Sequence, residues 1–221
     1  MAVQFENEVV IPVGGVTLEG DLQIPPNATG MVLFAHGSGS SRFSPRNQYV
    51  ARILREAGLG TLLFDLLTRE EEAIDSFTRH LRFDIVLLAE RLADVTRWIG
   101  GVDAARGLPV GYFGSSTGGG AALMAAARLG EQVGAVVSRG GRPDLASAWL
   151  PQVKSPTLLL VGELDTVVIG LNREALRRMT CPTEIRLIHG ATHLFEEPGT
   201  LEVVAPTAAT WFQTHLGKAH G

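Results

Sequence analysis

The chain opens with two extended segments, Phe5–Pro12 and Val16–Ile24, joined at Gly14-Gly15. A two-glycine connection between such segments predicts a hairpin. Past the linker PPNATG the texture changes, and MVLFAH (Met31–His36) is a continuous apolar run. Runs of this kind fit strands covered on both faces, as in a parallel sheet. Ser44-Pro45 then suits a helix N-cap and first turn, Tyr49, Val50, Ile53, Leu54 and Ala57 recur at helical spacing, and Gly58 suits the stop. Thr61–Phe64 is another buried run. The acidic stretch REEEAID after it is expected to be a loop, and from Arg79 to Ile99 six apolar positions share one helical face.

The alternation continues. Strands are expected at Pro109–Phe113, Gly134–Ser138, Thr157–Val161 and Glu184–Ile188, and helices at Thr117–Leu129, Asn172–Met179 and Leu201–Leu216. Strand and helix in turn imply right-handed crossovers, hence an α/β fold whose mainly parallel sheet carries helices on both faces. The opening hairpin supplies antiparallel strands at one edge. With 221 residues, no repeat and no linker, residues 1–221 read as a single domain.

Composition narrows the function. Hydrophobic residues make up 45% and charged residues 19%, which argues for a packed core and against disorder. The net charge of −4 is dispersed without a basic stripe, so no nucleic-acid partner is expected. The lone Cys181 excludes an internal disulfide and a multi-thiolate metal site. The start MAVQFENEVV lacks a basic, then apolar, leader, and no apolar run approaches the ~20 residues of a membrane helix. The expectation is a cytoplasmic protein with no membrane partner, no metal and no cofactor.

The chemistry concentrates in GYFGSSTGGG, Gly111–Gly120. A phosphate loop would need lysine where Gly120 stands, and a dinucleotide fingerprint would need glycine where Ser116 stands. G-x-S-x-G does fit, as Gly114-Ser115-Ser116-Thr117-Gly118 between an expected strand and an expected helix. Only Ser116 has glycine two positions away on both sides, so Ser116, not Ser115, is the candidate nucleophile. The plain alternative is a packing turn with an idle serine.

A serine hydroxyl needs a base in reach, and the base needs a carboxylate to orient it. Asp165 follows one expected strand in GELDTVV, and His193 follows the next in HGATHLF, giving the order Ser, Asp, His. Glu163 and, less well placed, Asp144 rival Asp165. His80, His215 and His220 lie on or beyond helices, and His189 belongs to a strand end. For an oxyanion hole, the N–H groups of Thr117 and of Ser38, in the loop HGSGSS, are the candidates.

The HGSG loop, GSSTG elbow, GELD acid loop and GATH histidine loop, in this order, resemble the α/β-hydrolase superfamily. In size and organisation the chain is similar to the dienelactone hydrolase family. The resemblance spans nearly the whole chain. It implies an eight-stranded sheet with the second strand antiparallel, and a Ser116–Asp165–His193 triad served by Ser38 and Thr117. Dienelactone hydrolases proper carry a cysteine nucleophile where this chain has Ser116, so the expected activity is serine-type ester hydrolysis. The stretch HGSGSSRFSPRN…FDLLT is also similar to hydrolase units fused to phosphoribosyltransferases. Lids of the superfamily enter after the strand ending near Ser138, yet only 14 positions separate Arg142 from Pro156, too few for a cap.

These readings predict a carboxylesterase-like serine hydrolase acting on small or mid-sized soluble esters. A thioesterase or amidase would use the same residues, and a non-catalytic binding module is the rival from another class. Activity should fall at acid pH, where protonation removes the base. Arg42 with Arg46, or Arg139 with Arg142, could meet an anionic group of the substrate, against the plain alternative of solvated surface arginines.

Overall fold

A computed structural model describes residues 5–217. The expectation for His220 and the first four residues of the leader reading lie outside the described residues.

Strands β1 (Phe5–Val13) and β2 (Val16–Ile24) form the antiparallel hairpin. Gly14 and Gly15 both take positive φ, +51° and +83°, as its two-residue turn demands. Six further strands follow: β3 (Met31–Ala35), β4 (Gly60–Phe64), β5 (Val110–Ser115), β6 (Val133–Arg139), β7 (Thr157–Gly162) and β8 (Thr183–Ile188). They build one eight-stranded sheet in the order β1-β2-β4-β3-β5-β6-β7-β8. β2 runs antiparallel to β1 and β4, and every pairing from β4 to β8 is parallel.

The helices are α1 (Pro45–Glu56), α2 (Arg69–Thr78), α3 (Ile85–Gly100), α4 (Thr117–Leu129), α5 (Thr166–Arg178) and α6 (Thr200–Leu216). The central strands are mostly apolar because each feeds two cores. On β3, Met31, Leu33 and Ala35 pack with α3 and α4, whereas Val32 and Phe34 pack with α1 and α6. At about 25 cal/mol per Å² of apolar surface removed from water, this two-sided burial is the main drive to the fold. Between β6 and β7 only two short 3₁₀ turns intervene, and there is no cap domain among the described residues.

Three expectations are corrected. The acidic stretch is not a loop but helix α2: the Thr68 hydroxyl accepts from Glu71 N–H and the Glu71 carboxylate accepts from Thr68 N–H, a capping box. Its three early glutamates also sit favourably at the positive end of the helix dipole. The amphipathic segment begins its helix only at Ile85, after Asp84 caps Leu87, because Arg79 is left-handed with φ 55°. Helix α5 starts at Thr166, six residues before its expected Asn172.

Glu71 has a second duty. The Arg91 guanidinium is buried, donates twice to the Glu71 carboxylate at 2.5 and 2.6 Å, and also donates to Leu66 O at 2.7 Å. Its bonds hold the Glu71 carboxyl below the ordinary 4.5, against the opposing pull of desolvation. Such a group adds stability that is complete above the unfolded value and drains away as pH falls through the lowered folded one. Glu71→Gln is therefore expected to cost about 2 kcal/mol near neutral pH and to flatten the acid side of a plot of urea midpoint against pH. An unchanged acid limb would remove Glu71 from the explanation.

Candidate active site

The turn between β5 and α4 is set by two glycines. A Cβ on Gly114 would lie 2.6 Å from Gly118 O and from Gly119 Cα; one on Gly118 would lie 2.0 Å from Ala35 O and 2.5 Å from His36 O. No side chain fits either place, so glycine at both lets the chain reverse tightly against β3. Ser116 sits at the apex with φ 51° and ψ −120°, a conformation costly for any residue with a Cβ. Backbone bonds hold it there: Ser116 N–H donates to Arg139 O at 3.2 Å, and Arg142 N–H donates to Ser116 O at 3.0 Å.

Three side chains meet above the C-terminal ends of the strands. Ser116 Oγ lies 3.2 Å from His193 Nε2, and His193 Nδ1 lies 2.7 Å from Asp165 Oδ2. A carboxylate beside Nδ1 places the ring proton there and leaves Nε2 to accept from the serine hydroxyl. Asp165 is fixed from its other oxygen, which accepts from Val168 N–H at 3.4 Å as the N-cap of α5. One carboxylate thus starts a helix and faces the imidazole.

The rival acids have other partners. Glu163 faces His189 Nδ1 at 2.7 Å and accepts from Gly190 N–H, tying down the loop that carries His193. Asp144 accepts twice from Arg142. The same loop is braced by Glu197, whose carboxylate accepts from the Thr192 hydroxyl and N–H; these bonds, the hydroxyl first, hold its pKa below the usual range.

The two expected oxyanion donors differ. Thr117 opens α4, so its N–H has no intrahelical partner. Ser38 N–H is occupied: it donates to Thr117 Oγ1 at 2.9 Å, while the Ser38 hydroxyl donates to Arg82 O at 3.2 Å and stands 3.0 Å from Thr117 Oγ1. Before it could serve an oxyanion, the Thr117 hydroxyl would have to be displaced. His36 steadies the loop from below, with Nδ1–H donating to Gly37 O and Nε2 accepting from Leu66 N–H. Burial lowers its pKa, more than the Gly37 bond raises it, and keeps the ring neutral.

Over Ser116 and His193 opens a cavity of about 600 Å³. Gly37–Ser41 and Ser44 give it a polar wall, while the exposed Phe43 and Leu194 give an apolar rim. Of the four arginines offered for an anionic group, Arg139 and Arg46 line it, one from each expected pair. Arg42 is buried among Glu19, Asp65 and Asp21, and Arg142 is paired to Asp144; neither faces the cavity. Arg46, which the sequence offers beside Arg42, is a lining residue, anchored by Glu196 at 2.5 Å. Sequence reasoning missed Asn47, a buried polar residue in the first turn of α1 that faces Ser115 and Arg139. A polar residue on an otherwise apolar helical face was the available signal.

Among the described residues no group of three or more His, Cys, Asp or Glu side chains could hold a metal ion, and no helix is long and apolar enough to cross a membrane.

Known proteins share this fold. A crystal structure of a dienelactone hydrolase from Anabaena variabilis is 59% identical, covers 96% of this chain and 98% of its own, and superposes with a TM-score of 0.94. Est1E from Butyrivibrio proteoclasticus, only 15% identical over 96% of this chain and 99% of its own, shares the fold with a TM-score of 0.80. Candidate phosphoribosyl transferases of Mycobacterium tuberculosis are 54% identical over 211 residues, 96% of this chain, and the chain spans about half (47%) of their length. The model of the dienelactone hydrolase family matches residues 18–215, and with that match the chain belongs to the dienelactone hydrolase family.

Proposed function

We propose that this hydrolase-family chain is a serine carboxylesterase working through an acyl-enzyme. The observation that carries the reading is the unbroken line from Ser116 Oγ through His193 to Asp165, at 3.2 and 2.7 Å. His193 Nε2 takes the hydroxyl proton as Ser116 Oγ bonds to the ester carbonyl carbon. Thr117 N–H stabilises the charge that gathers on the carbonyl oxygen. Collapse breaks the ester C–O bond, and His193 returns the proton to the leaving alcohol. Water, deprotonated by His193, then releases the acid and restores Ser116. Asp165 holds the ring in the tautomer needed and balances the imidazolium.

The uncapped cavity suits small or mid-sized acyl groups. A panel of p-nitrophenyl acyl esters of graded chain length should show the highest kcat/KM among the short members. Asp165→Asn should lower kcat by about 10⁴-fold, because the amide favours the wrong tautomer. A folded protein that releases no nitrophenol from any member would refute the reading. Nearly all of this chain is spanned by the Anabaena dienelactone hydrolase likeness. We therefore assign the activity named for the longer mycobacterial relatives to the half of them that this chain does not span.

A further inference from the structure

We propose that the ion pair between Arg46 and Glu196 is a chain-length gate between the catalytic cavity and a second, apolar compartment, which takes an unbranched neutral chain of the ester when the pair parts. The consequence in turnover rests on the esterase reading, whereas the compartment and its gate can be tested by binding alone.

The second cavity, of about 370 Å³, opens beside the first. Its apolar walls are Tyr49 on α1, Leu201 on α6, and Phe195 and Pro198 between the candidate catalytic histidine and that helix. Phe195 belongs to the core under α1 and α6, and Tyr49 and Leu201 pack against it, so these walls are backed by fixed structure. Pro45 and Arg46 line both cavities. On the opposite bank the chain crosses from one cavity to the other at Phe195: His193 and Leu194 line the first, and Phe195 to Pro198 the second. Phe195 makes that crossing with a left-handed backbone, φ 55°, which is costly for a bulky side chain, and its ring is buried there.

The ion pair spans the divide between the banks. Arg46 Nη1 donates to Glu196 Oε1 at 2.5 Å, from the first turn of α1 to the loop beyond His193. Among the described residues Arg46 Nε has no hydrogen-bond partner, and the Glu196 side chain is 61% exposed. Exposed pairs of this kind contribute little to stability, so the gate parts at small cost. Each methylene that moves from water onto an apolar wall gains about fourfold in affinity. A short chain stays on the catalytic side and gains nothing from the compartment; a longer one must first displace the pair. Glu196, Glu197 and Glu202 line the compartment, so a chain ending in a carboxylate is repelled and a neutral one is favoured.

The test has an equilibrium arm and a turnover arm. In Ser116→Ala protein, calorimetry compares octanamide with butanamide. The ratio of their affinities should rise about fivefold or more when Arg46→Ala is added, and a third substitution, Leu201→Trp, should remove the gain by filling the compartment. In turnover, kcat/KM is compared for p-nitrophenyl octanoate against butyrate, and for octyl acetate against butyl acetate. At least one long-to-short ratio should rise about fivefold in Arg46→Ala and by less in Glu196→Ala. The first ratio rising assigns the compartment to the acyl chain, the second to the alcohol. The exchanged pair, Arg46→Glu with Glu196→Arg, should bring the ratio back toward the parental value. Should Arg46→Ala not fold, Glu196→Ala decides by the same ratios. An affinity ratio that Arg46→Ala leaves unmoved, or a gain that survives either Leu201→Trp or the exchanged pair, overturns the gate. Absence of all ester turnover with the gain in octanamide binding intact would instead refute only the esterase reading.

Discussion

Ser116→Ala is expected to lower kcat for ester hydrolysis by about 10⁴- to 10⁶-fold while leaving the fold intact. The substitution removes one oxygen atom and nothing that holds the elbow. Ser116 keeps its place through its own N–H and C=O, bonded to Arg139 and Arg142, and alanine makes both bonds equally well. The strain of φ 51° is the same for either residue. Circular dichroism and melting temperature should therefore match the parent, and initial-rate kinetics on a short-chain ester should not. A variant retaining more than about a hundredth of the parental rate would mean that another group attacks the carbonyl.

Gly118→Ala should produce the largest loss of stability of any single methyl addition around the site. The new Cβ would sit 2.0 Å from Ala35 O and 2.5 Å from His36 O. Both are main-chain atoms at the end of β3, so neither can rotate away as a side-chain tip could. Either α4 lifts off the sheet or the β3–β5 pairing opens. A cost of at least about 3 kcal/mol follows, or roughly 10 °C in melting temperature for a chain of this size. Gly170 on α5 provides the control: a Cβ there meets nothing within 4 Å, so Gly170→Ala should be neutral or stabilise by about 0.5–1 kcal/mol. If Gly118→Ala melted like Gly170→Ala, the close packing of elbow on β3 would not be what fixes Ser116.

The contrast between these glycines also shows what a sequence reveals. Strands β3 to β7 are legible because each is buried on both faces and so is written as a mostly apolar run. Helix α2 is not, because its run of glutamates hides a helix whose evidence is local: the Thr68–Glu71 capping box. The first six residues of α5 are hidden because Asp165 carries two roles at once, facing the imidazole and capping the helix. The strand order was out of reach, since no residue pattern states that β4 sits between β2 and β3.

At the site, spacing and order pointed to Ser116, Asp165 and His193, and these are the side chains that the structure brings together. What spacing could not convey is direction. Arg42 and Arg46 are four residues apart, yet one turns to the acids of β2 and the β4 end while the other lines the cavity. Nor could it show that the Ser38 N–H is engaged by Thr117 Oγ1, a contact across 79 positions.

The central claim is that Ser116 is made nucleophilic by His193. Exposure of the folded protein to a fluorophosphonate, followed by peptide mass mapping, tests it most directly. The account predicts one adduct per chain, on Ser116, forming at least a hundredfold more slowly in His193→Ala. A folded protein that stays unlabelled, or an adduct on Ser115 in its place, would contradict it.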